Sequence, residues 1–475
     1  MKSFFSNVFI GLFATMSINS FAENPEGYTI KIKVKGLKEG ASCILAYYNW
    51  DKNAIKDSAK ADSKGEVVFK GTEKAEEGIY LFVPPNKKYF DFVVGVEQNF
   101  SLETDTTDYI KNMKVKGSEE NKSFFEYQAF MISKQKQIEP LREQLKSIKK
   151  SKDSTKLLQD KMSAIDLEVK TYQSNFIKNH PASFVAKLFK AMEEPVIPDA
   201  PLLPNGSKDT IFPYHYYKAH YFDNIDLTDD RMLRTPIFFN KIKNYMDKWT
   251  AQTPDSLNVS ADYLIEHSKP NKEMFKYMVW WTTLTYETSK NMGMDAVFVH
   301  IVDKYYKTKQ AYWVDSTQLY KISEKATILK PILIGKRAPE ISMPDSLGEY
   351  ISMSNIKAKY TIIVFWDQGC GHCKKEIPKL MELYNKIKSK GVAVYAIETE
   401  EKADEWKKFI KDNKLNWINV REPDHYRRAV AKKIYDIQST PIIYLLDENK
   451  IIKAKHIDSE QLGGIIEMLE KEKGK

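Results

Sequence analysis

The stretch TIIVFWDQGCGHCKKEIP, residues 361–378, decides how the chain is to be read. Residues 361–366 are a short apolar run of β-branched and aromatic side chains, the pattern of a buried strand. From residue 374 to 388 the pattern becomes that of an amphipathic helix, so Cys370-Gly371-His372-Cys373 falls where a strand hands over to a helix N-terminus. There the unpaired backbone N–H groups and the positive end of the helix dipole favour an anion, which lowers the pKa of Cys370 below that of a free thiol and makes it the nucleophile. Cys373, one turn later, is close enough to attack the mixed disulfide that Cys370 would form, as thiol-disulfide exchange requires. His372 between them can stabilise the thiolate as a partly charged imidazole, which favours the reduced pair and makes the disulfide a better oxidant.

Outward from this motif, residues 331–475 alternate apolar strands and amphipathic helices. Strands are expected at 361–366, 392–397, near 417–420, at 442–446 and at 451–454. Helices are expected at 374–388, 403–411, near 427–434 and from Ser459. Such alternation implies an α/β sheet. Upstream the pattern differs twice. Residues 28–34 alternate strictly, and short runs such as CILAYY, EVVF, IYLFV, YFDFVV and FSLE follow between turn residues, giving a β-rich, antiparallel N-terminal domain over 24–117. From 119 to 330 helical spacing takes over. Phe124, Tyr127, Met131, Ile138, Leu141, Leu145 and Ile148 form one stripe, with a kink expected at Pro140, and Leu158, Met162, Ile165, Val169, Tyr172 and Phe176 form a second. An antiparallel hairpin accounts for both stripes, and a dimer seam is the alternative. Prolines 195, 198, 201 and 204 mark an extended linker or lid at 195–204. The aromatic and histidine cluster Tyr214, His215, Tyr216, Tyr217 and His220 reads as packing, because those histidines lack a recognised metal spacing.

At 475 residues the chain exceeds one core, and its 42% hydrophobic content is enough to fill several. The formal charge of +9 is scattered, with Lys146, Lys149, Lys150 and Lys152 on solvated helix faces, so a nucleic-acid partner is not expected. The first 22 residues read as a signal peptide: Lys2, an apolar run at 8–18, then Ser20-Phe21-Ala22. Export to the periplasm, soluble or membrane-associated, is the expected localisation. Three cysteines do not make a structural disulfide framework, so the pair at 370 and 373 reads as a bond made and broken, and Cys43 as a small buried hydrophobe.

The C-terminal region resembles the thioredoxin superfamily, and within it the TlpA and ResA type of extracytoplasmic proteins. The resemblance covers residues 331–475 and rests on TIIVFW, on Cys370-Gly371-His372-Cys373 followed by Lys374, Lys375, Glu376 and Pro378, and on Ser439-Thr440-Pro441-Ile442. It implies a cis bond before Pro441, with Thr440 pairing with the client backbone, Trp366 also on the client-binding side, and Glu376 assisting proton transfer. A solvated helix-face carboxylate is the equal alternative for Glu376. The chain departs from thioredoxin in having Val364 where a buried aspartate is usual and Gly369 where a tryptophan precedes the first cysteine. The upstream segments look like the β and helical modules of exported Bacteroidetes-type proteins.

The function expected is that of an exported thiol-disulfide oxidoreductase acting on client proteins with disulfides or thiols, more as a reductase than as a disulfide-forming or isomerising oxidase. It needs no cofactor, and the resemblance implies a membrane electron-relay protein as redox partner. A partner- or surface-binding protein with an accessory thioredoxin-like domain is the alternative from another class. A zinc site lacks a second ligand pair, and the residues before Cys370 do not fit a peroxiredoxin. The client and the oligomeric state are not legible.

Overall fold

A computed structural model describes residues 27–147, 152–400 and 402–473. The signal-like segment 1–22, Ile148, Lys149 and Lys150 lie outside the described residues. The chain divides into two compact units, one of residues up to 193 with 231–239, the other of 194–230 with 240 onward.

In the first unit, β1 (Tyr28–Lys35), β2 (Ser42–Asn49), β3 (Lys52–Lys60), β4 (Glu66–Gly71), β5 (Gly78–Val83), β6 (Phe90–Val94), β7 (Asn99–Asp105) and β8 (Lys114–Lys116) form two four-stranded sheets, β4-β1-β7-β8 and β3-β2-β5-β6. Tyr28, Ile30, Ile32 and Val34 of β1 point inward in strict alternation and share one core with Cys43, Leu45, Phe69, Phe82 and Phe92. Pairing is antiparallel throughout except between β1 and β7, which run parallel. Three helices follow: α1 (Glu119–Ser147), α2 (Lys152–Asn179) and α3 (Phe184–Met192). The first two pack as a hairpin, with Tyr172 stacked on Phe130 at 4.5 Å and Gln173 donating to the Tyr127 hydroxyl at 2.9 Å. Helix α1 continues through Pro140. The segment 231–239 completes this unit, where Trp50 packs on Phe238 and Phe239.

The second unit holds α4 (Phe212–Ala219), α5 (Pro236–Lys248; its first turn belongs to the first unit), α6 (Pro254–Ser268), α7 (Lys272–Glu287), α8 (Asp295–Ile301) and α9 (Ser316–Leu329). Residues 193–200 carry no regular element, and Leu202 makes a lone bridge with Lys208. Tyr214 and Tyr217 pack on Trp249, their rings 6.0 and 4.0 Å from it.

The same unit continues with a short hairpin, β9 (Ser342–Pro344) and β10 (Tyr350–Ser352), and then β11 (Tyr360–Trp366), α10 (Gly371–Ile387), β12 (Val392–Glu398), α11 (Ala403–Asp412), β13 (Ile418–Arg421), α12 (His425–Ile434), β14 (Ile442–Asp447), β15 (Ile452–Lys455) and α13 (Ser459–Lys473). The five-stranded sheet has the order β13-β12-β11-β14-β15. All of β11 is buried because the sheet is covered on both faces, which is why its sequence shows no alternation. On one face Ile362, Val364 and Trp366 meet Cys373, Ile377 and Leu380 of α10 and Leu462 and Ile466 of α13. On the other, Phe365 packs against Tyr435 at 5.2 Å. The chain is thus multidomain, with N-terminal β sheets, a central helical region and a C-terminal thioredoxin-like α/β fold.

Topology then positions the site. Strand β12 runs parallel to β11, whereas β14 runs antiparallel with Ile442 opposite Phe365. The loop entering β14 therefore lies beside the loop leaving β11, and Thr440-Pro441 is brought to Cys370 across 70 residues of chain.

Candidate active site

Cys370 is the N-cap residue of α10, with extended backbone angles and its carbonyl already accepting from the Lys374 N–H at 3.1 Å. A tight turn precedes it: the Cys370 N–H reaches the Asp367 carbonyl at 3.2 Å, and the Asp367 carboxylate accepts from the Gly369 N–H at 2.6 Å. The Cys370 sulfur donates to the Thr440 carbonyl at 3.3 Å. The Thr440–Pro441 bond is cis. Cys373 is fully buried, and its sulfur accepts from the Asp367 N–H at 3.5 Å. Both cysteines are free thiols.

The two thiols have opposite electrostatics. Partial burial works against ionisation of Cys370, but the hydrogen bonds made by the Cys373 backbone, the Thr440 group and the His372 backbone outweigh it and hold the pKa below the ordinary thiol value. Burial pushes the Cys373 thiol up to about 12, with the neighbouring Cys370 adding to the rise and the Asp367 N–H opposing it. Cys43, also fully buried, is pushed up to about 11 by desolvation. A partly exposed sulfur whose pKa is lowered, beside a buried one whose pKa is raised, is the arrangement that thiol-disulfide exchange needs.

A cleft of about 560 Å3 brings together His372, Glu376, Thr440 and Pro441. Within it Glu376 is only partly solvated, because its carboxylate accepts from the Ser459 N–H at 2.6 Å and so binds the start of α13. Trp366 is placed elsewhere. It is fully buried, with its ring 5.0 Å from Phe409, and can bear on a client only through the loop it supports. A second cleft, of about 770 Å3, opens on the other side of the Cys370 loop, among Gln368, Glu400, Lys402, His425 and Arg428.

One buried carboxylate near the site has no counterpart in the motif reading. Glu398 ends β12 in the inward phase of Val394 and Ala396, has no exposed surface, and pairs with Arg421 at 3.1 Å. Burial raises its pKa to about 7; the Glu400 N–H, Arg421 and Arg428 oppose the rise, and Asp367 adds to it. Between the unfolded value of 4.5 and about 7 the folded chain therefore binds more protons than the unfolded one, so this group's contribution to stability falls as pH rises through that window. At about 1.4 kcal/mol per pH unit the loss approaches about 3 kcal/mol by pH 8. Glu398→Gln should flatten that slope, which denaturant unfolding of both proteins at pH 5 and pH 8 would reveal. Equal pH dependence in the two would remove Glu398 as its source.

Comparison with known proteins places these features in a family. Residues 334–455 match the AhpC/TSA family, residues 152–330 match a domain of unknown function (DUF5106), and residues 28–124 match another (DUF4369). The thiol-disulfide oxidoreductase ResA of Bacillus cereus is 30% identical over 139 residues, which is 29% of this chain and 78% of that protein. ResA of Bacillus subtilis is 32% identical over 120 residues, 25% of this chain and 65% of that protein. A solved domain of a possible thiol-disulfide isomerase from Cytophaga hutchinsonii is 45% identical, covering 30% of this chain and 99% of that one, with a TM-score of 0.29. Over its C-terminal region the chain belongs to the thioredoxin-like thiol-disulfide oxidoreductases of the ResA and TlpA type.

Proposed function

We propose that the chain is an exported protein-disulfide reductase working through Cys370-Gly371-His372-Cys373. The observation that carries this reading is the pairing of a partly exposed Cys370, held below the usual thiol pKa at the N-cap of α10, with a buried, protonated Cys373. The Cys370 thiolate attacks one sulfur of a client disulfide, forming a mixed disulfide and releasing the other client sulfur as a thiolate. Cys373 then gives up its proton and attacks the Cys370 sulfur, which expels the second client thiolate and closes the Cys370–Cys373 bond. Two electrons pass to the client, and a dithiol relay protein at the membrane returns them. Glu376 is the carboxylate we assign to take up the Cys373 proton, since it shares the cleft with His372 and Thr440. Thr440 and Pro441 seat the client chain beside Cys370.

Export rests on the signal-like first 22 residues. Among the described residues no helix is long and apolar enough to cross a membrane. The reductase direction rests on the relationship to ResA. A disulfide-forming role is the second reading, favoured by the exposed His372 between the cysteines, which would stabilise the reduced pair. Equilibration with glutathione decides between them. A potential close to the roughly −270 mV of thioredoxin supports the reductase, and one above about −180 mV supports disulfide formation.

A further inference from the structure

We infer that Asp367 is the positioning residue of the resolving step: its carboxylate closes the turn between β11 and α10, and that turn holds the Asp367 N–H on the sulfur of Cys373, where it stabilises the thiolate that attacks Cys370. The inference rests on the thiol chemistry proposed above and assigns a residue to its second step.

Resolution is the step at which a buried sulfur must carry charge. Cys373 is fully buried and shares one core with Ile362, Val364 and Trp366. Burial works against its thiolate, the Asp367 N–H is the largest opposing contribution, and Thr440 is the next. That N–H lies 3.5 Å from the sulfur. A hydrogen bond to an ionised acceptor is stronger than one to a neutral acceptor, so the contact gains strength as Cys373 loses its proton.

Both partners of this contact are fixed from the strand end. The peptide unit joining Trp366 to Asp367 is planar and trans, so its carbonyl and its N–H point opposite ways. The carbonyl is held by the residue after β12, accepting from the Thr399 N–H at 3.0 Å and from the Thr399 hydroxyl at 3.2 Å. The N–H is thereby turned toward Cys373. Where the sulfur lies depends on how the first turn of α10 hangs from β11, and there Asp367 acts twice more. Its carbonyl accepts from the Cys370 N–H at 3.2 Å, and its carboxylate accepts from the Gly369 N–H at 2.6 Å. An acid that bonds the backbone two residues on fixes a turn locally. Gly369 is part of the same device. A Cβ at 369 would stand 3.2 Å from the carboxylate oxygen, closer than ordinary contact. The acid at 367 therefore goes with a glycine at 369, the position where thioredoxins carry tryptophan.

Cys370 depends on other groups. Its sulfur meets the Thr440 carbonyl and is stabilised by the backbone of Cys373 and His372. The first attack is thus less sensitive to the Asp367 carboxylate than the second.

The test uses the full chain, reduced and freed of reductant, mixed with one equivalent of dithiodipyridine, a neutral disulfide. Attack by Cys370 breaks the reagent's S–S bond, forms a mixed disulfide and releases one thiopyridone. Attack by Cys373 on the Cys370 sulfur closes the protein disulfide and releases the second. The two thiols are oxidised, the reagent is reduced, and the two thiol protons end on the thiopyridones. Stopped-flow absorbance resolves the two releases, and Cys373→Ser, which lacks the second, identifies it. Asp367→Ala should slow the second release at least about tenfold and the first by less than about threefold. Asp367→Asn, whose amide oxygen accepts the same N–H, should keep the second release within about threefold of the unmodified protein. Both changes remove the negative charge that Asp367 places near Glu398, so the difference between them reads the turn and not that charge. A second release in Asp367→Ala within about twofold of the original, equal slowing of both releases, or an Asn variant as slow as the Ala one would overturn the positioning role and leave the thiol chemistry standing. Absence of a second release in the unmodified protein would instead remove the thiol reading beneath it.

Discussion

Cys370→Ser should lower the rate of protein-disulfide reduction by at least about 10³-fold. A serine hydroxyl forms no thiolate and cannot enter a disulfide, so the first bond of the proposed cycle cannot be made. Neither remaining cysteine can substitute. Cys373 is fully buried with its thiol pushed up to about 12, and Cys43 is fully buried in the N-terminal β unit with its thiol pushed up to about 11. At pH 7 their thiolate fractions are about 10⁻⁵ and 10⁻⁴, before any penalty for access. Insulin reduction, followed with an excess of a reductant that resets the pair, measures the loss. Substantial activity in Cys370→Ser would place the nucleophile elsewhere.

The same asymmetry should appear without any substitution. Iodoacetamide at pH 7 should label the reduced protein once, at Cys370, at a rate at least about 10³-fold above that at Cys373. The reagent attacks thiolates, and the two pKa values lie on opposite sides of the free-thiol value, lowered for Cys370 and raised to about 12 for Cys373. Labelling at Cys370 should quicken with pH and level off below the ordinary thiol value, and Cys373 should react in strongly alkaline solution or after unfolding. Peptide mass mapping after timed quenching reads both rates. Comparable labelling of the two cysteines at pH 7 would mean that burial of Cys373 does not protect it.

What the sequence showed, and what it hid, follows the range of the interactions. The α/β domain was legible because β11 is buried on both faces, which leaves a continuous apolar run, and because Cys370 and Cys373 stand at its junction with a helix. Strand β3 was not read, since KNAIKDSAK contains no apolar alternation: it pairs with β2 at a sheet edge, with Ile55 exposed. Glu398 was passed over although its signal was present, a carboxylate continuing the inward phase of Val394 and Ala396. Trp366 shares a run with exposed site residues, and only the packed core shows that its ring faces inward against Phe409. The join between β15 and α8 could not be read from local pattern, since it depends on Lys455 meeting Asp295, 160 residues earlier.

The central claim is that Cys370 attacks and Cys373 resolves, and trapping tests it most directly. Cys373→Ser, reduced and then mixed with a disulfide-bearing protein such as insulin, should accumulate a covalent adduct through Cys370 that dithiothreitol releases, because the second attack can no longer occur. An adduct mapped to Cys43, or turnover without any adduct, would contradict the account.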